Sequence, residues 1–264
     1  MRIRSIGLGI DDLSVARILF KLAAIHRSRG ENDKAVKAYE ESLRIRKLEL
    51  GENSAEVAAT YFNLGCSQDL VGKDKKALFC YKKAINICIK LSDGRSLLVA
   101  KALVNQARIL MEHNKSENAL SCFDDAIKIR EELEQDEPSE EMADILFDQG
   151  KIYDLLDNKQ AVAMYEKALI MYESTVGHEH LSVGKVLHAM AVYYYNNGDH
   201  EQAHETIKEA VRLRETMLTE DNEETADSFY VSSSMRAYRA CILRPMWPTG
   251  LLFHIASAGN IDIC

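Results

Sequence analysis

Residues 74–91 read Asp74-Lys75-Lys76-Ala77-Leu78-Phe79-Cys80-Tyr81-Lys82-Lys83-Ala84-Ile85-Asn86-Ile87-Cys88-Ile89-Lys90-Leu91. Three residues in this stretch sit at helical spacing: Ala77, Tyr81 and Ala84. Each returns every 42 residues along the chain. The first gives Ala35, Ala77, Ala119, Ala161 and Ala203. The second gives the bulky series Tyr39, Tyr81, Phe123, Tyr165 and Ile207, and the third the small series Ser42, Ala84, Ala126, Ala168 and Ala210. A fixed period of this size marks a stacked repeat protein, whose units bury their apolar faces against neighbours. It also argues against catalysis, because repeat stacks mostly present surfaces to partners.

Working outward, the residues before this stretch predict a second helix in each unit. In the second unit helix A is expected over about 54–71 and helix B over about 74–91. A further small position recurs in helix A at Ala23, Gly65, Ala107, Gly150 and Ala191. One turn earlier stand Leu19, Tyr61, Leu103, Leu146 and Leu187. Small residues let two helices approach closely while larger ones fill the grooves. The turn from A to B carries Gly30, Gly72, Asn114, Asp157 and Gly198, residue types that tolerate a left-handed backbone. The fourth unit departs by one residue, since Gly150 to Ala161 spans eleven positions where the other units have twelve.

Leu64-Gly65 followed by Ala77, Tyr81 and Ala84, repeated with the same internal spacing in four other units, resembles the tetratricopeptide repeat (TPR) over about residues 8–230. The period narrows the resemblance. The junctions Leu50-Gly51-Glu52-Asn53-Ser54-Ala55-Glu56-Val57-Ala58 and Gly177-His178-Glu179-His180-Leu181-Ser182-Val183-Gly184 are similar to those of kinesin light chain and nephrocystin-3 type repeats, with Leu181 where that family has proline. The resemblance implies an all-α fold, a right-handed superhelical solenoid of antiparallel helix pairs. The domain reading is the end of a preceding repeat over 1–9, five units over 10–222, the start of a degenerate sixth over 223–241, and a non-repeat, poorly ordered tail over 242–264. The stretch 253–263 faintly resembles the start of an ankyrin repeat. Both ends read as cut from a longer array, with no polar cap.

Composition narrows the function. Against 33 basic residues stand 41 acidic ones, a net charge of −8, which disfavours nucleic acid as a partner. No apolar run approaches the about 18 residues of a membrane span, so no membrane association is expected. Six cysteines without a C-x-x-C pair, and no secretory signal, read as reduced thiols of a cytoplasmic protein.

Motifs for chemistry are missing. His178-Glu179-His180 is a tight histidine–carboxylate cluster, but its histidines are two apart in a turn rather than four apart on a helix. His180 reads as the family's turn histidine. The sequence holds no phosphate-binding glycine loop and no nucleophile elbow. No cofactor, metal or enzymatic activity is expected.

The TPR resemblance directs attention to the A helices, which line the family's concave groove. Carried onto this sequence, the peptide-binding positions are Phe20, Lys21, Phe62, Asn63, Lys101, Asn105, Arg108, Phe147, Asp148, Lys151, His188 and Tyr195. The equivalent pair Asn63 and Asn105 would hydrogen-bond the backbone of an extended peptide, and the phenylalanines would anchor apolar side chains. Lys21, Lys101 and Arg108 make one stretch basic, and Asp144, Asp148 and Asp154 make the next acidic. The expected function is a protein–protein interaction scaffold, cargo- or adaptor-like by the kinesin light chain resemblance. The alternative is a regulatory fragment of a larger multidomain enzyme or signalling protein. Self-association through uncapped ends is also open.

Overall fold

The computed structural model describes residues 12–92, 94–134, 138–217 and 226–233. The chain divides into two compact units, Met1–His178 and Glu179–Cys264. The first contains α1 (Leu13–Ser28), α2 (Asn32–Leu50), α3 (Ala55–Asp69), α4 (Asp74–Ser92), α5 (Leu97–Glu112), α6 (Ser116–Glu134), α7 (Glu140–Leu155) and α8 (Gln160–Val176). The second contains α9 (Leu181–Asn196) and α10 (His200–Met217), and residues 226–233 are also helical. Among the described residues all regular structure is helical.

Odd-numbered helices are the predicted A helices and even-numbered ones the B helices, each A packing on the B that follows. Within the first unit α2 also packs on α3, α4 on α5 and α6 on α7, which links one repeat to the next.

The starts of the A helices are capped by side chains that replace missing intrahelical acceptors. Asp12, Ser54, Ser96 and Ser139 accept from backbone N–H groups of α1, α3, α5 and α7. Their ends turn through a left-handed residue at all five predicted places, with φ of 74° at Gly30, 72° at Gly72, 56° at Asn114, 52° at Asp157 and 86° at Gly198. The fourth unit absorbs its missing residue just after that turn. Ala35, Ala77, Ala119 and Ala203 each donate to the carbonyl four residues back, whereas Ala161 donates to Asn158, three back. One tight 3₁₀-type closure thus keeps the later repeat in step.

Every member of the two small B-helix series is fully buried, and the bulky series between them is at most 1% exposed. The recurring small residue of helix A lies under that bulky side chain. A Cβ added at Gly65 would stand 2.7 Å from Cε1 of Tyr81, and one at Gly150 2.5 Å from the ring of Tyr165. The ring therefore occupies the space that a side chain would need.

Enlarging Ala77 to Leu should cost about 1–3 kcal/mol of folding stability by overpacking. Gly65→Ala should also lower the midpoint of urea unfolding, although alanine favours a helix by about 1 kcal/mol over glycine. Unchanged midpoints for both would refute this packing.

Candidate functional site

Local chemistry sets which A-helix residues remain available. Tyr39, Tyr81 and Tyr165 fill the helix A–B contact, and each supports a phenylalanine on the preceding A helix. Phe20 meets Tyr39 edge-on with centroids 5.3 Å apart, Phe62 lies 6.0 Å from Tyr81, and Phe147 lies 5.8 Å from Tyr165. Phe20 is further covered by the Arg46 guanidinium, 4.5 Å from its centroid, and Phe147 by the Lys151 ammonium at 4.8 Å. Both rings are therefore packing elements as much as surface.

Four of the predicted residues converge. Phe62 from α3 and Lys101, Asn105 and Arg108 from α5 line one depression of about 220 Å³, closed by Glu141, Asp144 and Ile145 of α7. Arg130 of α6 reaches its floor. This arginine is 2% exposed and pairs with Glu141, which in turn meets Lys101 Nζ at 2.9 Å. Arg108 donates from Nε to Asp148 at 2.8 Å and stands 3.8 Å from Asp144. Lys151 pairs with the other oxygen of Asp148, which is itself buried. The basic and acidic stretches read from the sequence are thus joined by ion pairs between neighbouring A helices. An acidic ligand would have to compete with Glu141 and Asp144 for the same cations.

The two asparagines differ. Asn63 Oδ1 accepts from Arg27 at 3.2 Å while its Nδ2 donates to the Ala59 carbonyl at 2.9 Å, so its amide is largely committed inside the protein. Asn105 Nδ2 reaches Cys66 Sγ at 3.4 Å, a weak bond that a better acceptor would displace. Lys21 is exposed on α1. In the second unit His188 Nδ1 lies 3.0 Å from Ser228 Oγ, and Tyr195 meets His200 edge-on at 5.2 Å.

Sequence reasoning missed a row of buried arginines at twice the repeat interval, Arg46, Arg130 and Arg214. Arg46 donates to Thr60 Oγ1 at 2.7 Å and to the Glu56 carbonyl at 3.0 Å. Arg214 donates to the buried Ser228 Oγ at 2.5 Å. Thr60 and Ser228 each lie fourteen residues beyond their arginine, so a helix B guanidinium holds the hydroxyl of the next helix A in both places. The 84-residue spacing was the available signal.

The histidine–carboxylate cluster disperses onto separate partners. His178 meets Glu173 at 3.1 Å, Glu179 pairs with Arg212 at 2.8 Å, and His180 accepts from the Ser182 N–H as the cap of α9. No group of three or more metal-binding side chains gathers among the described residues, and no helix there is long and apolar enough to cross a membrane. Cys66, Cys80, Cys88 and Cys122 are free thiols, and burial pushes Cys80 up to about 12, far from reactive thiolate character. Cys241 and Cys264, the junction at 8–11 and the stretch at 253–263 lie outside the described residues.

One tetratricopeptide repeat family model matches residues 14–90 and 140–216, and a second matches 100–133. Curated proteins give no sequence match. Among solved structures, a kinesin light chain-like protein of nearly identical TPR-like repeats from Podosopora anserina aligns with TM-score 0.64 at 18% identity, covering 79% of this chain and 99% of that one. BtubC from P. vanneervenii gives 0.58 at 18% identity over 91% and 99%. A signal transduction ATPase with a tetratricopeptide repeat sensor from Pyrococcus horikoshii gives 0.68 at 18% identity, over 82% of this chain and 32% of that one. These likenesses concern the fold.

Two measurements check the local chemistry. Thr60→Val, which leaves buried Arg46 short of an acceptor, should cost about 1–3 kcal/mol in chemical unfolding. Burial, with Glu112 and Asp74 adding repulsion, raises the Asp69 carboxyl above its ordinary range. The folded state therefore disfavours ionised Asp69, and the associated stability is present at low pH and lost as pH rises through the folded value. Asp69→Asn should raise the melting temperature at pH 7, and that gain should vanish near the ordinary carboxylate range of about 4.

Proposed function

The chain belongs to the tetratricopeptide repeat family, and on that premise we propose that it is an interaction scaffold holding an extended segment of a partner protein on its A-helix face. The fold commonly mediates protein–protein interaction. What carries the reading here is the convergence of Phe62, Lys101, Asn105 and Arg108 in one depression shared by three successive A helices.

The chemistry of that depression suits a peptide with one apolar side chain and one carboxylate. Phe62 offers an aromatic face, and aromatic anchors contribute disproportionately to interfaces. Asn105 can exchange its weak sulfur contact for a peptide carbonyl. Lys101 is about half exposed in its pair with Glu141, so opening that pair costs little. Arg108 is more constrained, because releasing it would leave buried Asp148 with only Lys151. Cargo or adaptor recognition is the kind of task this implies. The partner is a protein, and the cytoplasm is the compartment that the reduced thiols suit.

Selection of peptides from a random library against the full chain tests the proposal. Selected peptides should lose about tenfold or more in affinity with Asn105→Ala or Lys101→Glu, a loss of about 1.4 kcal/mol. Lys167→Glu, on the B-helix side, should leave binding unchanged. Peptides indifferent to both groove substitutions would overturn the reading.

A further inference from the structure

A cleft between α6, α7 and α8 has a counterpart two repeats earlier, and the two differ in chemistry. The earlier one, of about 300 Å³, is lined by Lys47, Tyr61, Lys83, Asn86, Ile87 and Lys90 among others. The later one, of about 400 Å³, has Glu131, Leu146, Lys167, Ile170, Met171 and Ser174 at those same repeat positions. In the first, Lys47 Nζ stands 5.4 Å over the Tyr61 ring and 3.2 Å from Glu52, so a charged side chain of the protein covers the aromatic. In the second, Leu146 replaces the tyrosine, Ser174 replaces a lysine, and Ile127 and Met142 extend the apolar wall.

The fourth repeat is the one that departs from the others here. Ile170 stands where the other repeats carry Arg44, Asn86, Lys128 and Arg212, yet it is 67% exposed. An apolar side chain so exposed gains little from the fold itself. Met142 takes the place of Val15, Val57, Val99 and Val183, and Met171 that of Ile45, Ile87, Ile129 and Leu213. Unbranched, polarisable methionine adapts its shape to what lies against it. Charge then narrows what that is. Arg130 in the wall is buried and shares its acceptor, Glu141, with Lys101. Lys167 at the rim has no carboxylate within ion-pair distance among the described residues. Glu131 is the single acid among the described lining residues, which leaves the cleft with an excess of positive charge.

We propose that this cleft binds a small amphiphile with an apolar body and one carboxylate. The body lies against Ile127, Met142, Leu146 and Met171, and the carboxylate sits at Lys167, with Ile170 covering the chain where it leaves the cleft. Size fits this class of ligand. A cavity of about 150 Å³ holds benzene, and small-molecule sites begin near about 300 Å³. The partly open cleft of about 400 Å³ therefore suits a chain of about ten carbons. A protein surface fits less well, because the apolar area ends at the mouth. One turn before Ile170 stands exposed Glu166, and one turn before Glu131 stands exposed Lys128. A protein interface would need about 800 Å² on each partner.

Isothermal titration calorimetry of the full chain with decanoate, held below its micelle threshold, tests this, with decyltrimethylammonium as the probe of opposite charge. Wild type should bind one equivalent of decanoate saturably and prefer it to the cation by about tenfold. Ile170→Asn places the second repeat's residue at an exposed position. It should weaken decanoate about tenfold while leaving the unfolding midpoint of the free chain unchanged. Lys167→Glu should reverse the preference between the two probes, a change that damage to the fold would not produce. A wild type without saturable binding overturns the proposal. So does uptake of several equivalents alike by wild type and both variants, which is detergent-like adsorption. Decanoate affinity unchanged in both variants would put the ligand elsewhere, and equal affinity of wild type for the two probes would remove the carboxylate; either result overturns it.

Discussion

The contact on which the rest depends is a bulky B-helix side chain seated where helix A has almost none. Tyr81 over Gly65 and Tyr165 over Gly150 leave no room for even a Cβ, so the two helices are held at one separation and one rotation. Interiors packed at crystal-like density do not slide, and the contact recurs at a fixed sequence interval. Within the first unit, successive A helices therefore present the same set of positions to one side. That constraint is what makes a shared depression between α3, α5 and α7 geometrically possible.

Charge is the second organising element, and it acts differently on the two sides of the stack. Along the A helices opposite charges on neighbouring repeats are close enough to pair, as Arg108 does with Asp148 and Lys101 with Glu141. There they knit repeats together and set the electrostatic threshold for any charged ligand. On the B-helix side many charged residues are exposed, as Lys75, Lys82, Glu117 and Asp125 are. The B-helix side also holds a cleft of about 400 Å³ between α6, α7 and α8, lined by Ile127, Met142, Leu146 and Met171 among others.

Buried guanidinium groups supply a less obvious link between repeats. A charge removed from water must be met by well-placed acceptors. Arg46 finds a carbonyl and a hydroxyl, Arg130 finds Glu141, and Arg214 finds Ser228. Each bond runs from the end of a B helix to a later helix. The partners are chemically different, which is why the pattern is hard to see from any single one.

Much of the fold was legible in the chain. Periodic alanines and aromatics announced helix pairs, and the five turn residues took the left-handed conformation that their types allow, because these features depend on near neighbours in sequence. The candidate site was legible only as positions. Which residues met was decided by packing across repeats, some 40 residues apart, where a side chain's reach and its competitors matter more than its type. So Asn63, equivalent to Asn105 in sequence, is tied up by Arg27, and two stretches of opposite charge became one set of ion pairs. Sequence alone determined the repeat and its register, since both follow from local backbone preference and the spacing of apolar residues. Tertiary structure alone decided which polar groups remain available, since hydrogen bonds and ion pairs are satisfied by whatever the fold brings within reach.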